Sequence, residues 1–231
     1  MSQGEATRHP SVGEIREMDM FTQQVLLVGR VTPDALQLLG TAFFVGTDGV
    51  LVTSRHVVGS DTNGLVVVQP NIQNLNAYQD VSDNLCRAVN VQVLDVNPIA
   101  DLVILKVEGR VGKVLELGSL DEVDVGESVE IYGFPHCVDG RRVLTYQSAS
   151  VGAKVLLESS SLKIKHAVVN SQTRPGQSGS LVYSRRLNKI VGLLSGTYVP
   201  RGNYIMVMGL NPAELNQTSH IVSAEYVKEM L

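Results

Sequence analysis

Residues 173–181, TRPGQSGSL, place a serine between two glycines immediately before an apolar run. The serine is Ser178, and its flanking glycines are Gly176 and Gly179. Glycine adopts backbone angles that other residues resist, so this turn can expose a hydroxyl and direct backbone N–H groups at a bound oxygen. Acyl-transfer enzymes need that combination, although Gly-x-Ser-Gly also occurs in ordinary turns. The stretch indicates catalysis only if a base and a carboxylate accompany it.

Among the five histidines, His56 has the sequence context of a catalytic base. Residues 40–46, the Asp-Gly pair at 48–49 and the apolar run at 50–58 predict a strand, a tight turn and a second strand. We expect the second strand to carry His56 at its end, where a rigid hairpin holds the imidazole. The alternative is a half-buried strand histidine without a catalytic role.

A carboxylate that orients this histidine has to tolerate burial, and Asp101 is the best candidate. It directly precedes the run LVILKV at 102–107, which is typical of a strand buried on both faces. An acid at the mouth of such a strand is costly unless another group pairs with it. Asp80, Asp83 and Asp95 lie in polar, turn-like contexts, where solvation is the simpler interpretation.

Length and composition favour a globular protein that is mostly β. The chain has 231 residues, 21 of them glycine, and few of its stretches show strong helical periodicity. A chain of this length forms one or two domains with a sizeable core. The net charge of −4 argues against nucleic acid as the main partner.

Several classes of site and location are disfavoured. Residues 1–20 carry charges and have no apolar centre, so they do not predict a signal peptide, and no run is long enough to cross a membrane. The two cysteines, Cys86 and Cys137, favour reduced thiols in the cytoplasm over a disulfide scaffold. No His-Glu-x-x-His motif or clustered Cys/His spacing indicates a metal site, and no cofactor is expected.

Three ordered motifs resemble those of chymotrypsin-like serine proteases, and specifically the bacterial trypsin-like peptidases of the HtrA-like branch. Residues 53–57 resemble the family's Thr-x-x-His-Val, residues 101–106 resemble Asp-Leu-Ala-Val-Leu-Lys, and residues 175–180 resemble Pro-Gly-Asn-Ser-Gly-Gly. The resemblance covers roughly residues 35–231. We expect no PDZ domain after it, because the chain given stops at residue 231.

The resemblance implies an all-β fold, a chymotrypsin-like double β-barrel with a short C-terminal helix. The expected boundaries are a flexible N-terminal segment at 1–20, a first barrel at about 21–112, a second barrel at about 120–222 and a helix at 223–231, with Ser223 as its N-cap. A protease domain at 21–231 would thus fill the rest of the chain.

By the same resemblance, Ser178 is the nucleophile, His56 is the general base and Asp101 orients the imidazole. The backbone N–H groups of Gly176 and Ser178 would form the oxyanion hole. The function implied is a serine endopeptidase that forms an acyl-enzyme with a protein or peptide substrate.

Substrate-binding residues follow only by correspondence with the family. Ser195 matches a serine that bonds the buried aspartate and helps hold the substrate backbone. None of the expected walls of the specificity pocket is charged, which predicts cleavage after an uncharged residue. Those walls are Gln172, Thr173, Gly196, Thr197, Ser219 and Ile221.

The chain also departs from the family pattern. Ser180 stands where a second glycine is usual, and Gln177 stands where digestive relatives have an aspartate that pairs with a freed N-terminus. We therefore expect no activation by N-terminal processing. His136 and Cys137 are neighbours, and on a strand they would face opposite sides and could not form a catalytic dyad.

One alternative function remains open, namely a protease-like fold that binds a peptide or partner without cutting it. The intact triad favours the endopeptidase. The substrate and the oligomeric state stay open at this point.

Overall fold

The computed structural model describes residues 20–72, 74–83, 86–109, 111–198 and 218–231, without the side chains of residues 197 and 198. The predicted flexible segment, apart from Met20, lies outside the described residues. So do a strand expected at 204–208 and most of an inserted loop expected at 212–219.

The first half of the described chain forms one seven-stranded antiparallel sheet. The spatial order is β5-β4-β1-β2-β3-β7-β6, so β1 to β3 form its centre. The strands are β1 (Val25–Val31), β2 (Leu36–Phe44), β3 (Val50–Ser54), β4 (Leu65–Val68), β5 (Ala88–Asn90), β6 (Gln92–Asn97) and β7 (Leu102–Lys106).

The second half forms another seven-stranded sheet, in the order β12-β9-β10-β11-β14-β13-β8. An additional β12–β13 pairing closes six of these strands into a barrel, while β8 runs parallel to β13 at the edge. The strands are β8 (Glu116–Leu117), β9 (Ser128–Gly133), β10 (Thr145–Ser159), β11 (Leu162–Val169), β12 (Leu181–Ser184), β13 (Lys189–Tyr198) and β14 (Thr218–Ser223). The architecture is the predicted all-β double barrel.

Alternating side chains divide the apolar residues between three cores. On β1, Leu26 and Val28 face the interior of the first barrel, while Val25 and Leu27 face the layer between the barrels. A third cluster, which includes Val129 and Ile131 of β9, fills the second barrel.

Three aromatic rings hold the two barrels together. Phe21, which precedes β1, stacks on Tyr132 with ring centroids 3.8 Å apart, and its edge meets Tyr183 at 5.3 Å. All three side chains are buried. Residues 20–24 are helical, so the first strand begins at Val25 and not at Phe21, where the apolar pattern placed it.

The C-terminal helix is shorter than predicted. It comprises α2 (Glu225–Lys228), and Ser223 is the last residue of β14, not the helix cap. Ser223 pairs with Gly192 in the ladder, and its hydroxyl accepts a hydrogen bond from the Leu120 backbone at 3.1 Å. These contacts with the barrel occupy the groups that a helix cap would have used.

Candidate active site

His56 lies in a single helical turn, α1 (Arg55–Val58), and not at the end of a strand. This turn directly follows β3. Its backbone is fixed by Asp101, in the turn before β7, because the Arg55 N–H donates to the Asp101 carbonyl at 2.9 Å and the His56 N–H donates to Asp101 Oδ1 at 3.0 Å. These contacts with a distant turn make the chain helical at 55, where the local pattern indicated a continuing strand.

Asp101 contacts the His56 side chain as well as its backbone. Its second oxygen, Oδ2, lies 2.5 Å from His56 Nδ1. Both side chains are partly open to solvent, His56 at 49% and Asp101 at 31%. Asp101 is thus less buried than the sequence argument required, and the imidazole is accessible to a bound reactant.

The backbone of Asp101 is unusual, since its φ of +57° lies in the left-handed region. Non-glycine residues enter this region uncommonly, and Asp and Asn enter it more readily than most. The conformation allows the backbone carbonyl and the carboxylate of one residue to bind consecutive N–H groups of α1. Asp101 therefore fixes α1 through two separate contacts.

Ser178 lies in the turn between β11 and β12, half-buried at the junction of the barrels. A Cβ built on Gly179 would lie 1.9 Å from the Thr41 carbonyl oxygen, and Gly179 has a φ of +87°. Only glycine fits this position without moving β2. The glycine after the serine is thus required by the close approach of the first barrel.

A second glycine joins the serine turn to α1. A Cβ on Gly40 would lie 2.8 Å from Val57 and 3.1 Å from the Ser178 carbonyl oxygen. Val57 follows His56 in the chain, so Gly40 lies where α1 and the serine turn come close together. Together with the contacts from Asp101 to His56, this brings the backbone segments of the three catalytic candidates near one another.

The peptide between Pro175 and Gly176 has a defined orientation. Its carbonyl accepts a hydrogen bond from the His136 N–H at 2.7 Å. In a planar trans peptide, the C=O and N–H groups point in opposite directions. The Gly176 N–H therefore points away from His136, and the Gln177 N–H, bonded to the Arg174 carbonyl at 3.0 Å, closes the turn.

Both departures from the family motif are accommodated by their surroundings. Gln177 is 3% exposed, and its amide oxygen accepts a hydrogen bond from the Arg174 N–H at 2.7 Å. Ser180 donates its hydroxyl to the Gln177 carbonyl at 2.6 Å. A Cβ on Gly133 would lie 1.8 Å from the Ser180 hydroxyl oxygen, so a glycine opposite makes room for the larger residue.

Four of the predicted pocket residues lie on the neighbouring strands β13 and β14, whereas Gln172 and Thr173 lie in the loop after β11. The β13–β14 ladder pairs Thr197 with Ser219, and the same strands carry Gly196 and Ile221. Ser219 is fully buried and donates its hydroxyl to the Ser171 carbonyl at 2.5 Å.

Three further residues assigned to the pocket differ in how well their exposure suits a pocket wall. Ile221 is fully buried and packs in the core of the second barrel, so its side chain is part of that core and not of an open pocket wall. Thr173 is 9% exposed, and Gln172 is exposed.

Ser195 lies half-buried at a bulge of β13. The described residues show no hydrogen bond between it and Asp101. Thr53 does not bond the aspartate either, because its hydroxyl donates to the Thr41 carbonyl at 2.6 Å. Among the described residues, the side-chain partner of Asp101 is therefore the His56 imidazole.

Cys137 begins a short 3₁₀ helix (Cys137–Asp139) and His136 is the residue directly before it, so neither lies on a strand as expected. His136 Nδ1 faces Asp139 at 3.4 Å, while Cys137 is fully buried. Burial, with a contribution from Asp139, raises the pKa of the Cys137 thiol to about 12, which disfavours the nucleophilic thiolate. The cysteine dyad is unsupported, though for a reason other than strand alternation.

No cluster of metal-ligating side chains occurs among the described residues. His166 on β11 and His220 on β14 approach each other edge to face, with ring centroids 6.1 Å apart. Burial lowers the pKa of both imidazoles, which favours their neutral forms. These histidines belong to the packing of the second barrel.

Comparison with known proteins agrees with this geometry. The sequence profile of the trypsin-like peptidase domain matches residues 40–193, which is more than half of the chain and includes the three catalytic candidates. The chain belongs to the trypsin-like peptidase domain family. Within the described part of this trypsin-like domain, no helix is long and apolar enough to span a membrane.

Curated relatives and solved structures extend the likeness. A "Probable periplasmic serine endoprotease DegP-like" of Ectopseudomonas mendocina (strain ymp) is 26% identical over 179 residues, which cover 78% of this chain and 34% of the relative. A relative of the same name in Hahella chejuensis (strain KCTC 2396) is 28% identical over 188 residues, which cover 79% of this chain and 35% of the relative. This trypsin-like domain thus spans about a third of the length of these relatives.

Among solved structures, the fold resembles that of the HtrA-type protease AlgW with decapeptide. The TM-score is 0.67 at 14% identity, over 96% of this chain and 66% of that one. The MamO protease domain from Magnetospirillum magneticum has a TM-score of 0.65 at 16% identity, over 91% of this chain and 97% of that one. At such identities the likeness concerns the fold.

Proposed function

We propose that the chain is a serine endopeptidase in which Ser178, His56 and Asp101 act as the catalytic triad. The observation that carries the proposal is the double contact of the Asp101 carboxylate, which binds the backbone and the ring of His56 with separate oxygens. A bare structural ion pair would need only the ring contact. The double contact fixes both the location and the orientation of the imidazole, as a general base requires.

The proposed reaction follows from these contacts. With its Nδ1 proton held by Asp101, the His56 ring has a free Nε2 lone pair and can accept the Ser178 hydroxyl proton. The Ser178 oxygen attacks the substrate carbonyl, and His56 then returns the proton to the leaving amine. Water repeats the sequence on the acyl-enzyme, which releases the acid and restores the serine.

The oxyanion hole is assigned to the backbone N–H groups of Gly176 and Ser178. The orientation of the 175–176 peptide supports the assignment, because its carbonyl is already held by His136 on the opposite side. Donors fixed before the reaction stabilise the developing charge without reorganising, and one such donor contributes about 10²- to 10³-fold in kcat.

The substrate class is an extended segment of protein with a neutral residue before the cleaved bond. With Ile221 set aside as a core residue, the residues assigned to the pocket that the structure describes with their side chains are Gln172, Thr173, Ser195 and Ser219, and none is ionisable. Burying a charged side chain without a partner costs several kcal/mol. Cleavage of a randomised peptide library is the direct test, and a profile dominated by Lys, Arg, Asp or Glu would contradict the assignment.

The compartment stays a prediction. The curated relatives carry the word "periplasmic" in their names, which disagrees with the cytoplasmic location expected from composition. Fractionation of the native host cells with an antibody to this chain separates the two locations.

We expect kcat/KM to rise with pH through a single ionisation. A protonated imidazole cannot accept the serine proton, so activity requires the neutral ring. The activity should therefore be lost below the transition and retained above it, in hydrolysis assays between about pH 5 and 8. The matched control is His166→Gln, which removes a buried histidine of β11 and should leave the midpoint in place. A flat profile in the unmodified protein argues against a histidine base.

Activity is expected without a freed N-terminus. Gln177 is uncharged and its amide oxygen already accepts the Arg174 N–H, so a buried ammonium ion would find no counter-ion there. Variants trimmed to begin near Ser11 or Phe21 should show equal or lower kcat/KM than the full chain. A large gain that requires one defined N-terminus, and that disappears when its amine is acetylated, would show that activation depends on an N-terminal ion pair after all.

A further inference from the structure

Thr41, a fully buried residue of β2, connects the first barrel to the serine turn of the second. Its backbone N–H donates to the Ser178 carbonyl at 3.0 Å. Its hydroxyl donates to the Gly176 carbonyl at 3.0 Å and accepts a hydrogen bond from the Phe134 N–H at 3.1 Å. One residue of the first barrel thus binds both ends of the segment that carries the proposed oxyanion donors.

Gly176 lies between two peptide planes, each held by a different neighbour. The preceding plane is fixed by the bond from His136 to the Pro175 carbonyl. The following plane is fixed at the Gly176 carbonyl by the Thr41 hydroxyl. Because Gly176 has a φ of +92° and no side chain, its own conformational preferences resist rotation little. External contacts therefore determine the orientation of both planes, and with it the angle between the Gly176 N–H on one side and the Ser178 N–H further along the turn.

We propose that the Thr41 hydroxyl is a positioning group. It holds the 176–177 peptide, which joins the peptide that carries the Gly176 N–H to the peptide that carries the Ser178 N–H, and so keeps the two donors aligned toward the oxyanion. This inference rests on the proposed peptidase function and assigns a task to the first barrel beyond carrying His56 and Asp101. The barrels are then interdependent, since the oxyanion hole of the second is held in place from the first.

Loss of the hydroxyl has a definite structural consequence. The Phe134 N–H and the Gly176 carbonyl would both lose the oxygen that joins them, and unpaired buried polar groups are costly. They can pair with each other only if the turn moves toward β9, which rotates the 176–177 peptide. The Cys137 thiol, 3.7 Å from the Gly176 carbonyl oxygen, is too weak a donor to hold the turn alone.

The test compares Thr41→Val, which keeps the shape without the hydroxyl, with Thr41→Ser, which keeps the hydroxyl. Thr41→Val should lower kcat about 10- to 100-fold and change KM less than about threefold, because misplaced oxyanion donors affect the transition state more than the bound substrate. Thr41→Ser should retain kcat within about threefold. The inhibition constant of a peptide aldehyde, whose adduct places an oxyanion in the hole, should rise in proportion to the loss in kcat/KM.

The matched control is Ser223→Ala at the far end of β14. Like Thr41→Val, this variant removes a buried hydroxyl that accepts a hydrogen bond from a backbone N–H. Here the donor is the Leu120 N–H at 3.1 Å, and the hydroxyl does not contact the serine turn. We expect it to lower the melting temperature without lowering kcat. If Thr41→Val keeps the kcat of the unmodified protein, or if Ser223→Ala lowers kcat as much, the positioning role is wrong.

Two further outcomes are also decisive. If Thr41→Val does not fold, Thr41→Ala replaces it, since the backbone bond to Ser178 remains. If the unmodified chain hydrolyses no peptide, the proposed function fails. A crystal structure of Thr41→Val then tests the positioning role separately. A rotated 176–177 peptide in that crystal supports the role of Thr41, and an unchanged peptide overturns it.

Discussion

Ser178→Ala is expected to lower kcat by about a millionfold and to leave the melting temperature nearly unchanged. The hydroxyl is the proposed nucleophile, and the turn that carries it is held by backbone contacts, the Ser178 carbonyl to Thr41 and the Gly179 N–H to Leu194 at 2.8 Å. Removing one half-buried oxygen atom therefore removes the chemistry and little packing. Rates of peptide hydrolysis and thermal unfolding provide the two measurements.

The same experiment extends to His56→Ala and the double variant. If the serine and histidine act as one unit, each single change and the double change should lose similar amounts of rate. Ser184→Ala is the matched control, because it removes a buried hydroxyl of β12 that bonds Glu127 at 2.7 Å, away from the turn. An additive double variant, or retained activity in Ser178→Ala, would contradict a shared mechanism.

Asp101→Asn is expected to lower kcat by about 10⁴-fold without unfolding the domain. The carboxylate offers one oxygen to the His56 N–H and the other to the His56 ring. An asparagine has a single oxygen. If that oxygen accepts the backbone N–H, the amide NH₂ faces Nδ1, so the ring proton moves to Nε2 and the ring can no longer accept a proton from serine.

The backbone at this position favours a clean test, because asparagine tolerates the left-handed conformation at φ +57°. Stability should therefore change much less than rate. Asp48→Asn is the matched control, since Asp48 is an exposed carboxylate of the first barrel that pairs with Lys106 at 2.7 Å. An Asp101→Asn variant with more than a tenth of the original kcat would show that Asp101 does not set the tautomer of His56.

The elements whose signals are local could be predicted from sequence. The apolar run at 102–107 predicted a strand buried on both faces, and β7 (Leu102–Lys106) has that character. The three motifs predicted the double barrel, which the two sheets confirm. The short-range pattern was sufficient for β7 because a strand buried on both faces has a continuous apolar run in its own sequence.

Features that depend on contacts between distant segments escaped prediction. The helical turn α1 interrupts an apolar run because the Asp101 backbone and carboxylate bind its first two N–H groups. The sequence pattern predicts a strand at 143–151, whereas β10 (Thr145–Ser159) continues past Gly152, because a bulge between Val151 and Ala153 absorbs that residue.

The contacts of Thr41 were equally absent from the sequence reasoning. Thr41 occupies an ordinary strand position within residues 40–46, and its partners are up to 137 positions later in the chain, by subtraction of 41 from 178. Only the arrangement of the two barrels shows that Thr41 contacts the serine turn. A small polar residue within an otherwise apolar strand is the one signal that could have drawn attention to it.

The most direct test of the account is reaction with a fluorophosphonate, followed by mass spectrometry of the intact protein and its peptides. We predict one adduct per chain, located on Ser178, formed by the native protein and lost in both His56→Ala and heat-unfolded protein. Such selectivity requires a serine activated by a correctly placed base. A native, folded chain that forms no adduct, or forms one on another serine, would contradict the assignment and favour a protease-like domain that binds without cutting.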